Sequence, residues 1–362
     1  MRSRLAYLHL PKAAGTSLRA ALSAYYDEED TVPWSFDRHL FGDDPRLGEV
    51  AEPVFLGQPD ELAGYAYMEG HWTLPTITSA FDPSDVVCVL REPRARFLSH
   101  YTFWRGWPEW MHDLWQPYDG ARFARLTLGE YCQEPAIAHQ ADNLVTRLIL
   151  GPHPLAPNDS HIRAGDVDRL AAQACRRLDD VGYVDVLERG DDVYRDLESW
   201  FGSPLTRERL NETDLGEGEP VDLDDFSDAR TMSLVNDRNA SDLQIWHHVA
   251  AARGVAERVA RSTSDAAFAR SVAKIAAGHA ALALRPEVER YMRERIAGEI
   301  AEKARLDAEA WERSVLAEQA RLAELPPVSF PTRLIGLMRR GPAALWRRTF
   351  AEIDRRRGRP HT

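Results

Sequence analysis

The sequence predicts an α/β fold around a parallel sheet, with a long helical C-terminal extension. Three units carry that expectation, each a short apolar run, then a turn, then apolar residues at helical spacing. The first run is RLAYLHL at 4–10, followed by Pro11, the loop Lys12-Ala-Ala-Gly-Thr-Ser17 and the helical LRAALSAYY. The second is VVCVL at 86–90, bounded by Asp85 and Arg91, with Pro93 turning the chain into ARFLSHYTFW. An unbroken apolar run between charged residues is the pattern of a strand covered on both faces. The third is VGYVDVL at 181–187, followed by ERGDD and VYRDLESWF. Such sheets bind ligands at the carboxyl ends of their strands, so the turns after these three runs are the candidate functional positions. Residues 27–62 are acidic and rich in Pro and Gly, and read as loop with short helices.

From Pro286 the composition changes. Residues 286–325 are rich in Ala, Glu, Arg and Leu, and Val288, Met292, Ile296 and Ile300 recur every four residues, the spacing of a long amphipathic helix. Pro326-Pro327 ends it, and an arginine-rich tail follows. The expected organisation is an α/β domain at 1–285, a long helix at 286–325 and a basic tail at 326–362.

Of 362 residues, 45 are basic and 57 acidic, a net charge of −12 that argues against nucleic-acid polymers as partners. Residues 331–362 hold nine arginines against Glu352 and Asp354, a local +7, so residues 1–330 carry −19. Only Lys12, Lys274 and Lys303 are lysine, and the other 42 basic residues are arginine. Such a bias fits GC-rich coding and says nothing of function, and Lys12 is the first place to ask whether a planar guanidinium would fail. No run reaches the roughly 20 apolar residues that cross a bilayer, and residues 1–10 lack a signal-peptide pattern. Cys88, Cys132 and Cys175 form no C-x-x-C pair and no disulfide framework. A reducing, cytoplasmic compartment is the expectation.

The loop at 12–17 has the parts of a phosphate cradle: N–H groups at a helix N-terminus, a glycine for close approach and two hydroxyl donors. It is not a Walker A loop, because its lysine precedes its single glycine. Alone, it fits equally well a plain helix entry capped by Thr16 or Ser17. Taken as a longer motif, His9-Leu-Pro-Lys-Ala-Ala-Gly-Thr-Ser-Leu18 resembles the H-[IL]-P-K-[TA]-[AG]-G-T-S-[LF] signature of sulfotransferases that use 3′-phosphoadenosine 5′-phosphosulfate (PAPS). Val87-Cys-Val-Leu-Arg-Glu-Pro-Arg-Ala-Arg-Phe-Leu-Ser-His-Tyr101 resembles their second signature, strand-R-[DE]-P-x-x-R-x-x-S-x-Y, and the two stand in the family's order. By motif the chain is most similar to the heparan sulfate 2-O-sulfotransferase-like, carbohydrate sulfotransferase group. The likeness runs from residue 4 to roughly residue 260 and does not extend past Pro286.

That resemblance implies a P-loop-NTPase-like core, a three-layer parallel sheet flanked by helices. It implies transfer of the PAPS sulfuryl group to an acceptor hydroxyl by in-line displacement, without a metal ion. Lys12, Ala14, Gly15, Thr16, Ser17 and Leu18 would bind the nucleotide, with Lys12 also stabilising the leaving group, and Arg91 and Ser99 would bind its 3′-phosphate. His71, in the Gly70-His71 element between the motifs, is the implied general base, an imidazole being suited to take an alcohol proton near neutrality. Glu69 and His39 are its rivals. His9 is expected to be structural, and Arg94 and Arg96 to be solvated helix charges. Asn143, Arg147, Glu188 and Arg189 resemble weaker family elements with no role beyond packing around the cofactor. Tyr101, Phe103, Trp104, Trp107, Trp110 and Trp115 form either core or a wall on which a sugar stacks.

The acceptor expected from this resemblance is a hydroxyl-bearing glycan or glycolipid. The basic tail is a solvated tail by default, with contact to an anionic membrane surface, to the −19 body or to a polyanionic acceptor as its alternatives. The long helix offers a contact for homo-oligomers. Two other classes of function stand against the sulfotransferase reading. One is a nucleotide kinase on a similar fold, disfavoured by the missing Walker A order. The other is a catalytically inactive sulfotransferase-like binding module, disfavoured by the joint presence of Lys12, His71, Arg91 and Ser99.

Overall fold

The computed structural model describes residues 2–13, 15–41, 54–105, 126–206, 215–216, 228–277 and 281–282. The chain divides into two compact units, Met1–Ala283 and Leu284–Thr362. The expected long helix and basic tail both lie outside the described residues.

The first unit is α/β. Its sheet has four parallel strands, β1 (Leu5–Leu8), β2 (Tyr67–Gly70), β3 (Val86–Leu90) and β4 (Tyr183–Val186), in the order β2-β1-β3-β4. β1 is central, with Leu8 level with Gly70 on one side and Cys88 on the other. Residues 30–37 extend the sheet beyond β2. Val32 N donates to Tyr67 O (2.9 Å), His71 N to Ser35 O (2.9 Å) and Asp37 N to His71 O (2.9 Å), with parallel bridges at Thr31 and Phe36.

Both faces of the sheet are covered, as the unbroken apolar composition of β3 requires. On one face Leu5, Tyr7, Tyr67, Val87, Val89 and Tyr183 pack against α1 (Gly15–Ser23) and α7 (Asp191–Phe201). On the other, Ala6, Leu8, Met68, Cys88, Leu90 and Val186 pack against α2 (Leu74–Thr78), α5 (Leu144–Leu150), α6 (Val167–Asp179) and α9 (Ala240–Ala252). A third cluster joins α3 (Pro93–Arg105), α4 (Leu128–Gln133), α8 (Ala229–Asp237) and α10 (Glu257–Ala277) through Phe97, Leu98, Tyr101, Tyr131, Val235 and Ile275. Among the described residues no helix is long and apolar enough to cross a membrane.

The structure differs from expectation on the β2 side. β2 was not among the expected strands, and residues 30–37, read as loop, form the edge beside it. Tyr-Met-Glu-Gly is four residues long and includes an ion-paired glutamate and a glycine, so it carries no apolar run.

Candidate functional site

After β1 the chain crosses towards the β2 side of the sheet, and after β3 towards β4. The loops following these two adjacent strands therefore diverge, which is where open parallel sheets bind ligands. Both motif loops end there. Lys12 follows β1, Arg91 follows β3, and His71 follows β2.

Lys12 has φ 66°, one of two non-glycine residues with positive φ among those described. Left-handed backbone costs an L-residue about 1–2 kcal/mol, and such strain persists where its surroundings impose it. Arg91 Nη1 donates to the carbonyl of this residue at 3.0 Å, binding the two motifs together. The Lys12 ammonium lies 4.1 Å from the Phe103 ring centroid, a cation–π contact. Burial, with Arg91 adding, lowers the Lys12 pKa to about 8. Burial also lowers that of Arg91, against the pull of Glu188 and Glu92.

Gly15, Thr16, Ser17 and Leu18 form the first turn of α1, where a helix presents its N–H donors. Ala14 lies outside the described residues. The Leu18 side chain packs into the core, so only its backbone belongs to the loop. Gly15 is required by a neighbour: a Cβ there would fall inside the imidazole of His9. Ser99 lies on α3 one turn before Phe103, so the helix face that carries it is the face turned to the Lys12 ammonium.

His71 Nδ1 sits 2.6 Å from the His9 carbonyl oxygen. A carbonyl only accepts, so Nδ1 carries the proton and Nε2 keeps its lone pair, the tautomer that a base acting through Nε2 needs. Burial lowers the His71 pKa to about 4; the His9 carbonyl opposes the shift, while Arg19 and Lys12 add to it. His71 is thus neutral at pH 7. Its backbone is pinned to the edge segment, and Gly70 (φ 133°) permits this because a Cβ there would run into the Ser35 carbonyl oxygen. His9, expected to be structural, stacks on Tyr7 (centroids 5.3 Å) and lies 4.5 Å from the His71 ring. It is structural in a specific sense, since its carbonyl sets the His71 tautomer. Both rivals have partners of their own: Glu69 is held by Arg19 Nε (2.8 Å) and the Tyr67 hydroxyl (3.1 Å), and the partly exposed His39 lies 4.0 Å from Asp37.

Of the two charges expected to be solvated, Arg94 is partly buried and Arg96 wholly buried. Arg94 Nε contacts Glu92 at 2.7 Å, and its Nη2 reaches Ser264 (3.0 Å) and Asp265 (3.1 Å). Arg96 is 0% exposed. α10 packs over their helix, which removes Arg96 from solvent and leaves Arg94 partly exposed. His100 was missed. It is buried, 3.1 Å from the Tyr131 hydroxyl, and burial together with Arg96, Lys12 and His71 drives its pKa well down. Its only sequence signal was its place next to Ser99.

The weaker elements split. Glu188 accepts from Glu92 N (2.8 Å) and Trp246 Nε1 (3.0 Å), clamping the turn that begins at Arg91. Arg189 is tied to Asp196 at 2.6 Å and to Asp185. Asn143 and Arg147 belong to a buried clasp: Asn143 Oδ1 accepts from Ser241 N (2.8 Å), and Arg147 pairs with Asp142 (2.8 Å) and donates to three loop carbonyls. Of the aromatics, Tyr101 is core, its hydroxyl donating to Leu126 O (2.9 Å), and Phe103 faces Lys12. Trp107, Trp110 and Trp115 lie outside the described residues.

The site therefore combines cationic Lys12 and Arg91, the first turn of a helix and a neutral imidazole in proton-accepting form. This is chemistry for holding an anionic group beside a group that is to lose a proton. The sequence matches no protein-family model, and no curated protein matches it.

Proposed function

We propose that the chain is a PAPS-dependent sulfotransferase acting on an acceptor hydroxyl, with a carbohydrate or glycolipid as the acceptor class. The observation that carries this reading is the junction of the two motifs: Lys12, at φ 66° and bonded through its carbonyl to Arg91, at the ends of adjacent parallel strands. The interior position of β1, the strand that bears the loop, supports a P-loop-like core. The residues present fit an anionic nucleotide, because two partly buried cations and a helix N-terminus converge where the loops diverge.

PAPS supplies an activated sulfuryl group on a phosphate leaving group. Lys12 would place its ammonium against the charge that grows on the leaving oxygen, in a site where burial strengthens the interaction. Arg91 and Ser99 would bind the 3′-phosphate. His71 Nε2 would take the acceptor's proton, with Nδ1–H held on the His9 carbonyl so that the ring cannot turn away. Gly15, Thr16, Ser17 and the backbone of Ala14 and Leu18 would complete the nucleotide loop.

The test is a labelled-sulfuryl transfer assay from PAPS over a panel of glycans and glycolipids, with Lys12→Ala and His71→Ala alongside the parent chain. Transfer that both substitutions abolish supports the reading. Magnesium-dependent ATP turnover without sulfuryl transfer would replace it with the nucleotide-kinase alternative. Nucleotide binding without either turnover would replace it with the inactive binding module.

A further inference from the structure

Asp37 has no part in the function proposed above. It lies in the 27–62 stretch that reads as loop, yet the residue is only 2% exposed. Its Oδ2 accepts from Thr73 N (3.1 Å), Thr73 Oγ1 (3.0 Å) and Thr76 Oγ1 (2.6 Å), and its Oδ1 accepts from His39 N (3.1 Å). No arginine or lysine among the described residues pairs with it; the His39 ring, at 4.0 Å, is the one ionisable side chain there within ion-pair reach. A carboxylate buried without a close cation is tolerated when its hydrogen bonds are complete. A complete set also holds its donors in one arrangement.

Those donors lie next to the candidate base. Asp37 N donates to the His71 carbonyl (2.9 Å), and the Asp37 carboxylate takes the amide of Thr73, two residues further on. One residue thus grips the chain at two points directly after the imidazole, while Ser35 O takes the His71 amide (2.9 Å). Thr73 is also the N-cap of α2 and Thr76 lies in its first turn, so the same carboxylate ties the start of that helix to the sheet edge. The His71 ring takes its direction from the Nδ1 bond to His9 O (2.6 Å), and the geometry of that bond depends on where the 71–73 backbone is held. We infer that Asp37 is a positioning residue for His71, its amide and carboxylate together fixing the imidazole in its Nδ1–H form against the His9 carbonyl. On the sulfotransferase reading, on which the catalytic consequence rests, Asp37 thereby aims His71 Nε2 at the acceptor hydroxyl.

The experiment uses the full chain and its Asp37→Ala and Asp37→Asn variants, isotope-labelled at the histidine nitrogens. The His71 Nδ1 proton is followed by NMR and assigned by its absence from His71→Ala. Sulfuryl transfer and affinity for adenosine 3′,5′-bisphosphate are measured on the same proteins. Asp37→Ala removes both acceptor oxygens but keeps the backbone bond to His71. Asp37→Asn keeps the volume and one acceptor oxygen, so either the threonine donors or the His39 amide must face its NH2 group. The Nδ1 proton should exchange with water roughly tenfold faster in Asp37→Asn, the scale of one hydrogen bond, and faster still in Asp37→Ala. The kcat should fall in the same order, to a loss of roughly a hundredfold, the scale of a one-ångström misplacement, with KM for PAPS and bisphosphate affinity unchanged. If Asp37→Ala fails to fold, Asp37→Asn decides alone. An Nδ1 proton that exchanges as in the parent would overturn the inference. So would a bisphosphate affinity that falls in step with kcat, the mark of a general loss of structure. If the parent chain transfers no sulfuryl group while its Nδ1 proton still depends on Asp37, the sulfotransferase reading falls and the positioning role stands.

Discussion

Lys12 illustrates at the residue scale how one position links strain, charge and pH. Its pKa of about 8 lies below the ordinary 10.5, so the folded state resists protonating it. That penalty is complete below pH 8 and is relieved as the pH rises towards 10.5, because the unfolded chain holds more protons across that window. Ligand-free stability should therefore rise from pH 8 to 10 while anion affinity falls as the ammonium is lost. Denaturant midpoints and phosphate titrations across that range check both signs, and Lys12→Met should flatten both curves. His71 gives a second profile. With a pKa of about 4 it stays neutral where an ordinary histidine charges, so its contribution to stability is complete above pH 6.5 and is lost as pH falls towards 4. If His71 is the base, the acid limb of kcat/KM should fall near pH 4 to 5 rather than near 6.5, and His71→Ala should keep bisphosphate binding while losing roughly 10²–10⁴ in kcat. Gly15 supplies a third test. Gly15→Ala pushes against the His9 ring and should cost about 1–3 kcal/mol in denaturant unfolding. His9→Ala should recover part of that loss in the double variant, giving a non-additive cycle; additive losses would deny the contact.

At the scale of elements, the site depends on pieces that fix one another's ends. Glu188, after β4, holds the Glu92 amide and the Trp246 indole, so β3's turn, β4 and α9 meet on one carboxylate. Glu188→Gln keeps one acceptor oxygen but removes a charge facing Arg91, and should cost about 1–3 kcal/mol in chemical denaturation. A change within ±0.5 kcal/mol, usual for a surface site, would deny the clamp. This scale also shows what was legible in the sequence. β1 and β3 announced themselves as apolar runs ending at the motif residues, so Lys12 and Arg91 could be placed at strand ends before the fold was known. β2 could not be: four residues including Glu69 and Gly70 carry no such pattern, and the placement of His71 beside His9 depends on it. The burial of Arg96 depends on packing among α3, α4, α8 and α10, contacts between segments far apart in the chain. Periodicity within α3 is silent about them. Gly15 was read as room for a ligand, and the structure shows that it also makes room for His9.

On the scale of the whole molecule, residues 1–330 carry −19, and an anionic ligand is bound against that charge only where cations are concentrated and shielded from water. Lys12 and Arg91 meet that requirement at the ends of β1 and β3. The partition into Met1–Ala283 and Leu284–Thr362 adds a test at this scale. A chain cut after residue 285 should unfold in one cooperative transition and keep the anion titrations of the full protein. The central claim is that the site is built for a nucleotide with two separate phosphates. Its most direct test is calorimetric titration of the full chain with adenosine 3′,5′-bisphosphate, 5′-AMP and ATP under identical conditions. The account predicts that the bisphosphate binds roughly tenfold or more tightly than either of the others, a gap of about 1.4 kcal/mol or more, and that Lys12→Ala weakens it. Equal affinity for all three, or a preference for ATP, would contradict it.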